Sequence, residues 1–340
     1  MKILVLAGGL SDERDVSLTS GSLIANALLE NGHTVMLSDL YLGGKNPDFA
    51  PVWHSAADGY RYSYSVPVKE PDLDRLKRLK GDNTLIAEEL INFAREADKV
   101  FLALHGAIGE NGQLQALFDI YGIKYTGSSS FGSRLAMNKN VAKKVMRYSG
   151  IPTPSWVCLD KDSDIDLDKI KLPRVVKPCS NGSSIGINIA DTTQELKDAV
   201  SYARRYEEEV LIEEKITGRE FTVGVLDGRA LPVIEIKPLK GFYNYENKYQ
   251  RGLTIEECPA DITDEEREKL RSLALAVHKA LKLGLYARID FLMDTNGRFY
   301  CLEANTLPGM TPTSLLPQAA AARGVNYNDL CEILIGNKKF

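Results

Sequence analysis

One hairpin near the end of the chain constrains this sequence most, because it fixes which side chains share a face. Residues 286–305 read YARIDFLMDTNGRFYCLEAN, two alternating runs separated by Asn296-Gly297. An Asn-Gly pair between such runs is the strongest short signal for a two-residue hairpin turn. The pairs that this turn predicts are Arg288–Asn305, Ile289–Ala304, Asp290–Glu303 and Phe291–Leu302.

The predicted register brings two carboxylates together. Side chains alternate between the faces of a strand, so Arg288, Asp290, Glu303 and Asn305 share one face and the apolar pairs form the other. Directly opposed Cβ atoms are about 5 Å apart, and like charges at that spacing are destabilising. Two carboxylates beside an amide oxygen suit a hard divalent cation. The hairpin alone leaves open a second interpretation, a solvated face on which the two acids avoid each other.

The first part of the chain alternates between strand and helix patterns. An apolar strand at 3–7 is followed by a helix from Val16 to Asn31-Gly32 and a strand at 34–40. After an irregular stretch, a helix at 84–97 and a strand at 99–106 restore the alternation. Strands separated by helices predict a parallel, doubly wound sheet.

An insertion at 41–82 interrupts this alternation at the edge of the sheet. It contains a tyrosine-rich stretch, GYRYSYSVPV at 59–68, whose alternation predicts a half-exposed hairpin. Further on, strand patterns and a hairpin turning at Asp227-Gly228 precede a long helix at 263–282. The segment at 237–260 shows little periodicity, and a loop this long in a compact domain is often a functional lid.

Composition excludes several classes of protein. The chain has 340 residues, and 42 Lys and Arg against 46 Asp and Glu give a net charge of −4, which does not favour a nucleic-acid partner. No apolar run approaches the length of a membrane span. The five cysteines are odd in number and include no C-x-x-C pair. We therefore interpret them as reduced packing residues of a cytoplasmic protein, without a disulfide framework or a zinc site.

A second motif offers phosphate-binding groups. PRVVKPCSNGSSIGI combines a strand ending at Lys177 with a loop of small residues that includes Gly182, Ser183 and Ser184. Successive backbone N–H groups and hydroxyls in such a loop can hold phosphate oxygens, with the lysine supplying positive charge. By itself the motif is more typical of an ordinary hairpin turn than of a phosphate site. The G-x-G-x-x-G fingerprint and a complete P-loop are both missing from the sequence.

Taken together, these motifs resemble one known family. GGLSDERDVSLTSG, LALHGAIGENGQLQ, VVKPCSNGSSIG, GREFTV, FYNYENKY, ARIDF and CLEANTLPGMTPTSLLPQAA occur in the order seen in D-alanine–D-alanine ligases of the ATP-grasp superfamily. The resemblance runs from residue 3 to beyond residue 320. It implies an ATP-dependent ligation of two D-alanines through an acyl phosphate, for peptidoglycan synthesis.

The resemblance also implies a domain organisation. The fold would be α/β, with α+β character in the C-terminal parts, and would have three domains. These would be an N-terminal domain at 1–126, a central ATP-grasp domain at 127–213 and a C-terminal ATP-grasp domain at 214–340. The nucleotide would lie between the central and C-terminal sheets, under a lid loop at about 238–256.

On the nucleotide side, the resemblance assigns roles by motif. Asp290, Glu303 and Asn305 resemble the ligands of two magnesium ions, for which manganese can substitute. Lys139, Lys177, Lys248 and Ser184 are implied to contact phosphates. Glu213 and the backbone at Ile216 resemble the strand that contacts adenine, and Glu220 resembles the acid that binds the ribose.

On the amino-acid side, Glu13 resembles the anchor for the ammonium of the first D-alanine, in a pocket shaped by Val16 and His105. Arg288 and the backbone N–H of Gly309 resemble oxyanion stabilisers. Ser314, beside Leu315, resembles the group that receives the carboxylate of the second substrate. Ser183 and Tyr249 resemble the partners of Glu13 in a hydrogen-bonded triad that closes the lid.

The resemblance leaves the exact substrates open. The second substrate could be D-serine or D-lactate, although the Lys248-Tyr249 pair favours an amine nucleophile. An ATP-grasp ligase for a different acid and amine is also compatible with these motifs, as is a nucleotide-binding regulator without turnover. The intact Arg288, Asp290, Glu303 and Asn305 argue against the regulator. The resemblance further implies a homodimer in the cytoplasm, with no nucleic-acid or membrane partner.

Overall fold

A computed structural model describes residues 1–67, 71–182, 186–239 and 254–340. It contains three sheets in chain order, the first parallel and the other two antiparallel. In the described segments, no helix has the length and apolar character needed to cross a bilayer.

The first sheet has the predicted parallel arrangement. Strands β1 (Lys2–Ala7), β2 (Thr34–Asp39) and β3 (Lys99–Leu102) lie in the order β2-β1-β3. Helix α1 (Arg14–Glu30) connects β1 to β2 and begins and ends close to the predicted positions. Its buried residues face the sheet, because Leu18, Ile24 and Leu28 belong to the same apolar cluster as the strands.

The insertion differs from its predicted structure. Residues 60–67 contain no strand, so the predicted hairpin is wrong for the described part of the tyrosine-rich stretch. The tyrosines bind neighbouring elements instead: the Tyr62 hydroxyl donates to the Val35 carbonyl at 3.1 Å, and the Tyr64 hydroxyl donates to Asp15 Oδ1 at 2.6 Å. A short helix α2 (Leu73–Lys80) follows.

The helix predicted at 84–97 is shorter than expected. Helix α3 extends only over Leu90–Glu96, because the preceding residues form other hydrogen bonds. The Ala87 N–H donates to the Leu40 carbonyl at 2.7 Å, and Lys80 Nζ donates to the Ile86 carbonyl. The first bond attaches the segment to the residue that follows β2, and the second attaches it to the end of α2. Helices α4 (Ala107–Glu110) and α5 (Gln113–Tyr121) come after β3.

The second sheet is antiparallel and has the order β4-β7-β5-β6. Its strands are β4 (Trp156–Leu159), β5 (Arg174–Pro178), β6 (Asn188–Ala190) and β7 (Val210–Glu214). Helix α8 (Thr193–Ala203) packs against this sheet. Helices α6 (Ser130–Met137) and α7 (Lys139–Tyr148) instead contribute Ala136, Ala142 and Met146 to the apolar cluster of the third sheet. Thr192 and Glu195 form a capping box that satisfies the first N–H groups of α8.

The third sheet has the order β10-β9-β8-β11-β12. Its strands are β8 (Gly218–Leu226), β9 (Arg229–Pro238), β10 (Thr254–Glu257), β11 (Tyr286–Asp294) and β12 (Phe299–Asn305). The predicted turn at Asp227-Gly228 is confirmed, since Leu226 pairs with Arg229 and both turn residues have positive φ. Helix α9 (Asp264–Ala280) begins at the Thr263 N-cap, close to its predicted start.

The two ends of the predicted lid are strands rather than loop. Pro238 ends β9, and residues 254–256 lie in β10, where Thr254 pairs with Pro238. Residues 240–253, the centre of the predicted lid, lie outside the described residues.

The last hairpin contains two deviations that cancel. The turn is one residue longer than predicted, because the Asp294 N–H donates to the Arg298 carbonyl at 2.9 Å. Met293 therefore pairs with Phe299, and Phe291 pairs with Cys301 rather than with Leu302, so that predicted pair is wrong. A β-bulge at Leu302 then restores the register, and both Asp290–Glu303 and Arg288–Asn305 pair as predicted.

The end of the chain returns to the first sheet. Helices α10 (Leu315–Ala322) and α11 (Tyr327–Leu334) contribute Leu316, Leu330 and Ile333 to the apolar cluster that contains β1–β3. The loop from β12 to α10 therefore passes between the first and third sheets, and this loop contains Gly309 and Ser314.

Candidate functional site

The paired acids of the last hairpin form the centre of the site. Asp290 is 6% exposed, and both of its oxygens are hydrogen-bonded. Arg288 donates to them through Nε at 3.0 Å and Nη2 at 2.9 Å. Thr222 Oγ1 donates to Oδ1 at 2.6 Å, and Asn305 Nδ2 donates to Oδ2 at 2.9 Å. These bonds fix the carboxylate between an arginine and an amide.

The predicted phosphate-side lysines lie close to this hairpin. Lys139 Nζ is 3.4 Å from Glu303 Oε2, and Lys177 forms an ion pair with Glu213. Lys143, which the sequence analysis did not identify, contacts the other oxygen of Glu213 at 3.0 Å. The sequence does contain a signal for Lys143, because Lys139 and Lys143 are four residues apart and therefore share one face of helix α7.

The Glu213 carboxylate is buried between two ammonium groups. Burial opposes its ionisation, but the charges of Lys177 and Lys143 outweigh burial and hold the pKa of Glu213 below its ordinary value. Burial would lower the pKa of Lys177, but the negative charges of Glu213 and Glu303 outweigh burial and raise that pKa. At Lys143 burial dominates and lowers the pKa.

A cavity of about 630 Å³ separates the second sheet from the third. Lys177, Glu213, Ile216, Glu220, Asp290 and Glu303 all line it, so the structure brings together most of the predicted nucleotide-side residues. Leu292 and Leu302 supply an apolar patch, and the β-bulge is what places Leu302 on this face. Arg219 and Glu235 at its rim were not predicted; Arg219 binds Glu235 in a bidentate pair at 2.7 Å.

A second cavity of about 280 Å³ lies between the first and third sheets. All the amino-acid-side residues that the structure describes line it: Glu13, Val16, His105, Arg288, Gly309, Ser314 and Leu315. Val66 from the insertion and Asn305 also contribute. Because Arg288 lines this cavity and its partner Asp290 lines the other, their ion pair connects the two.

The small-residue loop that follows Lys177 in the sequence reaches the smaller cavity. Gly182 lines the smaller cavity, and a Cβ at this position would lie 3.9 Å from Glu13 Oε2. Gly309 is more closely packed, because a Cβ there would lie 2.8 Å from Ser314 Oγ. That hydroxyl contacts the Thr311 N–H at 3.1 Å. The glycine thus allows the backbone to approach the serine.

Sequence reasoning missed one enclosed acid in this cavity, Glu110 on α4. It accepts hydrogen bonds from the Gly106 N–H at 2.6 Å and the Leu307 N–H at 3.4 Å. Burial raises the pKa of Glu110; His105 opposes the increase and Glu13 adds to it. His105 Nδ1 in turn donates to the Leu307 carbonyl at 3.1 Å. In the sequence, the one indication of this role is that Glu110 lies five residues after His105. An acid in such a short helix has no periodic pattern that would predict its burial.

Four predicted site residues lie outside the described residues. They are Ser183, Ser184, Lys248 and Tyr249. Their roles remain predictions based on the family resemblance.

Comparison with protein families supports the same assignment over nearly the whole chain. The model described as D-ala D-ala ligase N-terminus matches residues 2–128. The model described as D-ala D-ala ligase C-terminus matches residues 145–336.

Individual relatives agree. D-alanine–D-alanine ligase from Pediococcus pentosaceus is 44% identical over 100% of this chain and 98% of the relative. The D-alanine–D-alanine ligase from Bacillus anthracis complexed with ATP has a TM-score of 0.77 at 33% identity, covering 99% of this chain and 97% of that one. VanG D-Ala:D-Ser ligase from Enterococcus faecalis also has a TM-score of 0.77, at 26% identity over 99% and 98%.

These similarities confirm the predicted ATP-grasp fold and extend over both cavities. The order of the motifs, the pairing of the acids and the family matches lead to one conclusion. The chain belongs to the D-alanine–D-alanine ligase family.

Proposed function

We propose that this protein uses ATP to join two D-alanine molecules into D-alanyl-D-alanine for peptidoglycan synthesis. The observation that carries the proposal is the Arg288–Asp290 pair, which connects a lysine-lined cavity to a smaller cavity containing Glu13. A ligase of this kind must place the γ-phosphate of ATP next to a carboxylate. The adjoining cavities provide that arrangement.

The larger cavity is suited to Mg-ATP. Asp290, Glu303 and Asn305 would hold Mg²⁺, because all three offer oxygen atoms and Asn305 directs its amide nitrogen to Asp290, leaving its carbonyl oxygen as a donor. Bound Mg²⁺ would neutralise charge on the ATP phosphates. Lys139 and Lys177 contribute further positive charge, and Ile216 and Glu220 line the part assigned to adenine and ribose.

The smaller cavity is suited to D-alanine. The carboxylate of Glu13 binds the substrate ammonium, while Val16 and His105 limit the space around its methyl group. The substrate carboxylate attacks the γ-phosphorus, the bond to the ADP oxygen breaks, and an acyl phosphate forms. Water exclusion protects this mixed anhydride from hydrolysis.

The second step takes place at the junction of the cavities. The amine of the second D-alanine, after losing a proton, attacks the acyl carbon, and phosphate leaves with the electrons of the C–O bond. Arg288 and the Gly309 N–H stabilise the oxyanion that forms between these events. Ser314 binds the carboxylate of the second substrate at the N-terminal end of α10.

Phosphate release with Mg-ATP tests this proposal. We expect release with D-alanine alone, together with a dipeptide detected by mass, and none with L-alanine. Turnover only in mixtures of D-alanine with D-serine or D-lactate would identify a ligase with a different second substrate. No turnover in any mixture would contradict the substrate assignment.

We further place the reaction in the cytoplasm, where ATP is available, and in a homodimer. Light scattering after size exclusion measures the oligomeric state. A mass of one chain at working concentration would contradict the dimer.

A further inference from the structure

Outside both cavities, three metal-binding side chains meet at one end of the second sheet. The Cys158 and Cys179 Sγ atoms are 3.5 Å apart, and Cys158 Sγ contacts Glu209 Oε1 at 3.2 Å. Among the described residues, this is the one group of three Cys, His or acidic side chains whose ligand atoms all lie within 4.8 Å of one another. All five cysteines are free thiols.

Although the number and spacing of the cysteines predict no zinc site, we propose that Cys158, Cys179 and Glu209, which folding brings together, bind one thiophilic divalent cation of the Zn²⁺ type. A tetrahedral ion with bonds of about 2.3 Å to sulfur and about 2.1 Å to oxygen holds its two sulfurs about 3.8 Å apart and each sulfur about 3.6 Å from the oxygen. The observed separations need only a few tenths of an ångström of adjustment. Two thiolates and a carboxylate are a donor set that prefers zinc to magnesium.

Rigid elements position these three donors. Cys158 lies on β4, Glu209 immediately precedes β7, and Cys179 immediately follows β5, with β7 between the other two strands. The Cys179 N–H donates to the Glu209 carbonyl at 3.1 Å, so the hydrogen bonding between β5 and β7 continues as far as these two residues. Because three adjacent strands supply one donor each, the geometry exists before an ion binds.

A second layer of polar groups orients the carboxylate. Asn138 Nδ2 donates to Glu209 Oε2 at 3.0 Å, and Asn140 Nδ2 donates to Oε1 at 2.9 Å. Trp156 Nε1 fixes the Asn140 side chain by donating to its oxygen at 3.1 Å. Such outer hydrogen bonds typically accompany metal ligands and tune their affinity.

The site is accessible from solvent on one side. Cys179 is fully buried, but Cys158 is partly exposed and lines a surface cavity of about 570 Å³ together with Trp156 and Lys144. An ion and a water molecule as fourth ligand can enter by this route. The nearby Lys144 would offset the excess negative charge of two thiolates and one carboxylate.

Ion binding would also affect the larger cavity. The Lys139 N–H donates to the Cys179 carbonyl at 2.8 Å, and Lys139 Nζ donates to the Asn181 carbonyl at 2.7 Å. Lys177 lies two residues before Cys179. A cation at Cys179 would therefore immobilise the segment that carries the proposed phosphate-side lysines.

Cadmium titration of the full-length, chelator-treated and reduced protein tests the proposal. The thiolate-to-cadmium absorption band in the ultraviolet reports sulfur ligation alone, and excess Mg²⁺ occupies the oxygen sites. We expect the band to saturate at one Cd²⁺ per chain and Zn²⁺ to reverse it. Cys158→Ser, at a partly exposed position, should lower the affinity at least tenfold, and Glu209→Gln should also lower it.

The other cysteines provide the matched controls. Cys258→Ser at a partly exposed site and Cys331→Ser at a buried site should leave the titration unchanged. A wild-type band no larger than that of Cys158→Ser would overturn the proposal. So would a Cys158–Cys179 disulfide in the oxidised protein combined with no cadmium binding by the reduced protein.

Discussion

Several acids line each of the two cavities, and one glutamate in each has a shifted pKa: that of Glu213 is lowered in the larger cavity and that of Glu110 is raised in the smaller one. In the larger cavity, Lys177 and Lys143 hold the pKa of Glu213 below its ordinary value despite burial. In the smaller cavity, burial raises the pKa of Glu110, which His105 only partly opposes. The same type of side chain therefore favours different protonation states in the two cavities.

This difference shows how each cavity is prepared for its ligand. The larger one collects lysines, whose charges suit a polyphosphate, and Glu213 forms buried ion pairs with Lys177 and Lys143 beside it. The smaller one places Glu110 near Glu13, and burial together with the neighbouring Glu13 raises the pKa of Glu110. Neighbouring charges, rather than burial, therefore distinguish the two sites.

The largest expected effect is on the metal-binding hairpin of the larger cavity. Glu303→Gln should reduce the rate of dipeptide formation by more than about a hundredfold while the fold is retained, because an amide offers a weaker oxygen donor to Mg²⁺. Steady-state phosphate release and circular dichroism measure both effects. Glu268→Gln on the exposed face of α9 is the control, and near-normal turnover in Glu303→Gln would contradict the metal assignment.

A large effect on stability is expected at Glu213. Glu213→Gln leaves two buried ammonium groups without a carboxylate, and breaking such a buried pair costs about 3–5 kcal/mol of unfolding free energy. Urea denaturation measures the loss. A variant as stable as the wild type would show that the lysines do not depend on Glu213.

The pH dependence of stability should differ in sign between the two acids. The raised pKa means that native Glu110 holds its proton more tightly than the unfolded chain, so its contribution falls as pH rises above about 4.5. The lowered pKa of Glu213 stabilises the fold above about 4.5, and this contribution is lost as pH falls.

Unfolding free energies of the wild type and the variants, measured from pH 3 to pH 7, test this difference. The unfolding free energy of the wild type minus that of Glu110→Gln should decrease as pH rises. The unfolding free energy of the wild type minus that of Glu213→Gln should increase with pH in the acid range. Glu88→Gln, at an exposed position, is the control for the substitution of a glutamate by glutamine. Slopes of the same sign for both acids would contradict the comparison.

The smallest effect is expected where the insertion meets the smaller cavity. Val66 lines it but is 53% exposed, so Val66→Ala loses only part of its packing. At about 0.8 kcal/mol per buried methylene, we expect the KM for D-alanine to rise about two- to fivefold and the KM for ATP to stay constant. Val52→Ala, at an exposed position of the same insertion, should change neither.

The hairpin shows both the power and the limit of sequence reasoning. Alternation predicted correctly that Asp290 faces Glu303, yet it could not reveal the longer turn or the bulge at Leu302 that compensates for it. Bulges depend on side-chain packing across the sheet, which no local pattern records. The same limit applies to the tyrosine-rich stretch, whose hydroxyls bind β2 and α1 instead of a partner strand.

The sites were predictable to different degrees. Residues in distinctive motifs, such as Glu13 and Lys177, were identified from the sequence, and the structure places both in the expected cavities. Lys143 and Glu110 were missed because their importance comes from charges brought together by folding. Cys158 and Cys179 lie 21 residues apart, and their proximity depends on sheet order alone.

In our account, the smaller cavity presents a carboxylate to the phosphate held in the larger one. Isotope transfer tests it most directly, with D-alanine labelled with ¹⁸O in its carboxylate and mass analysis of the phosphate released. An acyl phosphate predicts one labelled oxygen in the phosphate for each dipeptide formed. Unlabelled phosphate accompanying dipeptide would contradict the account.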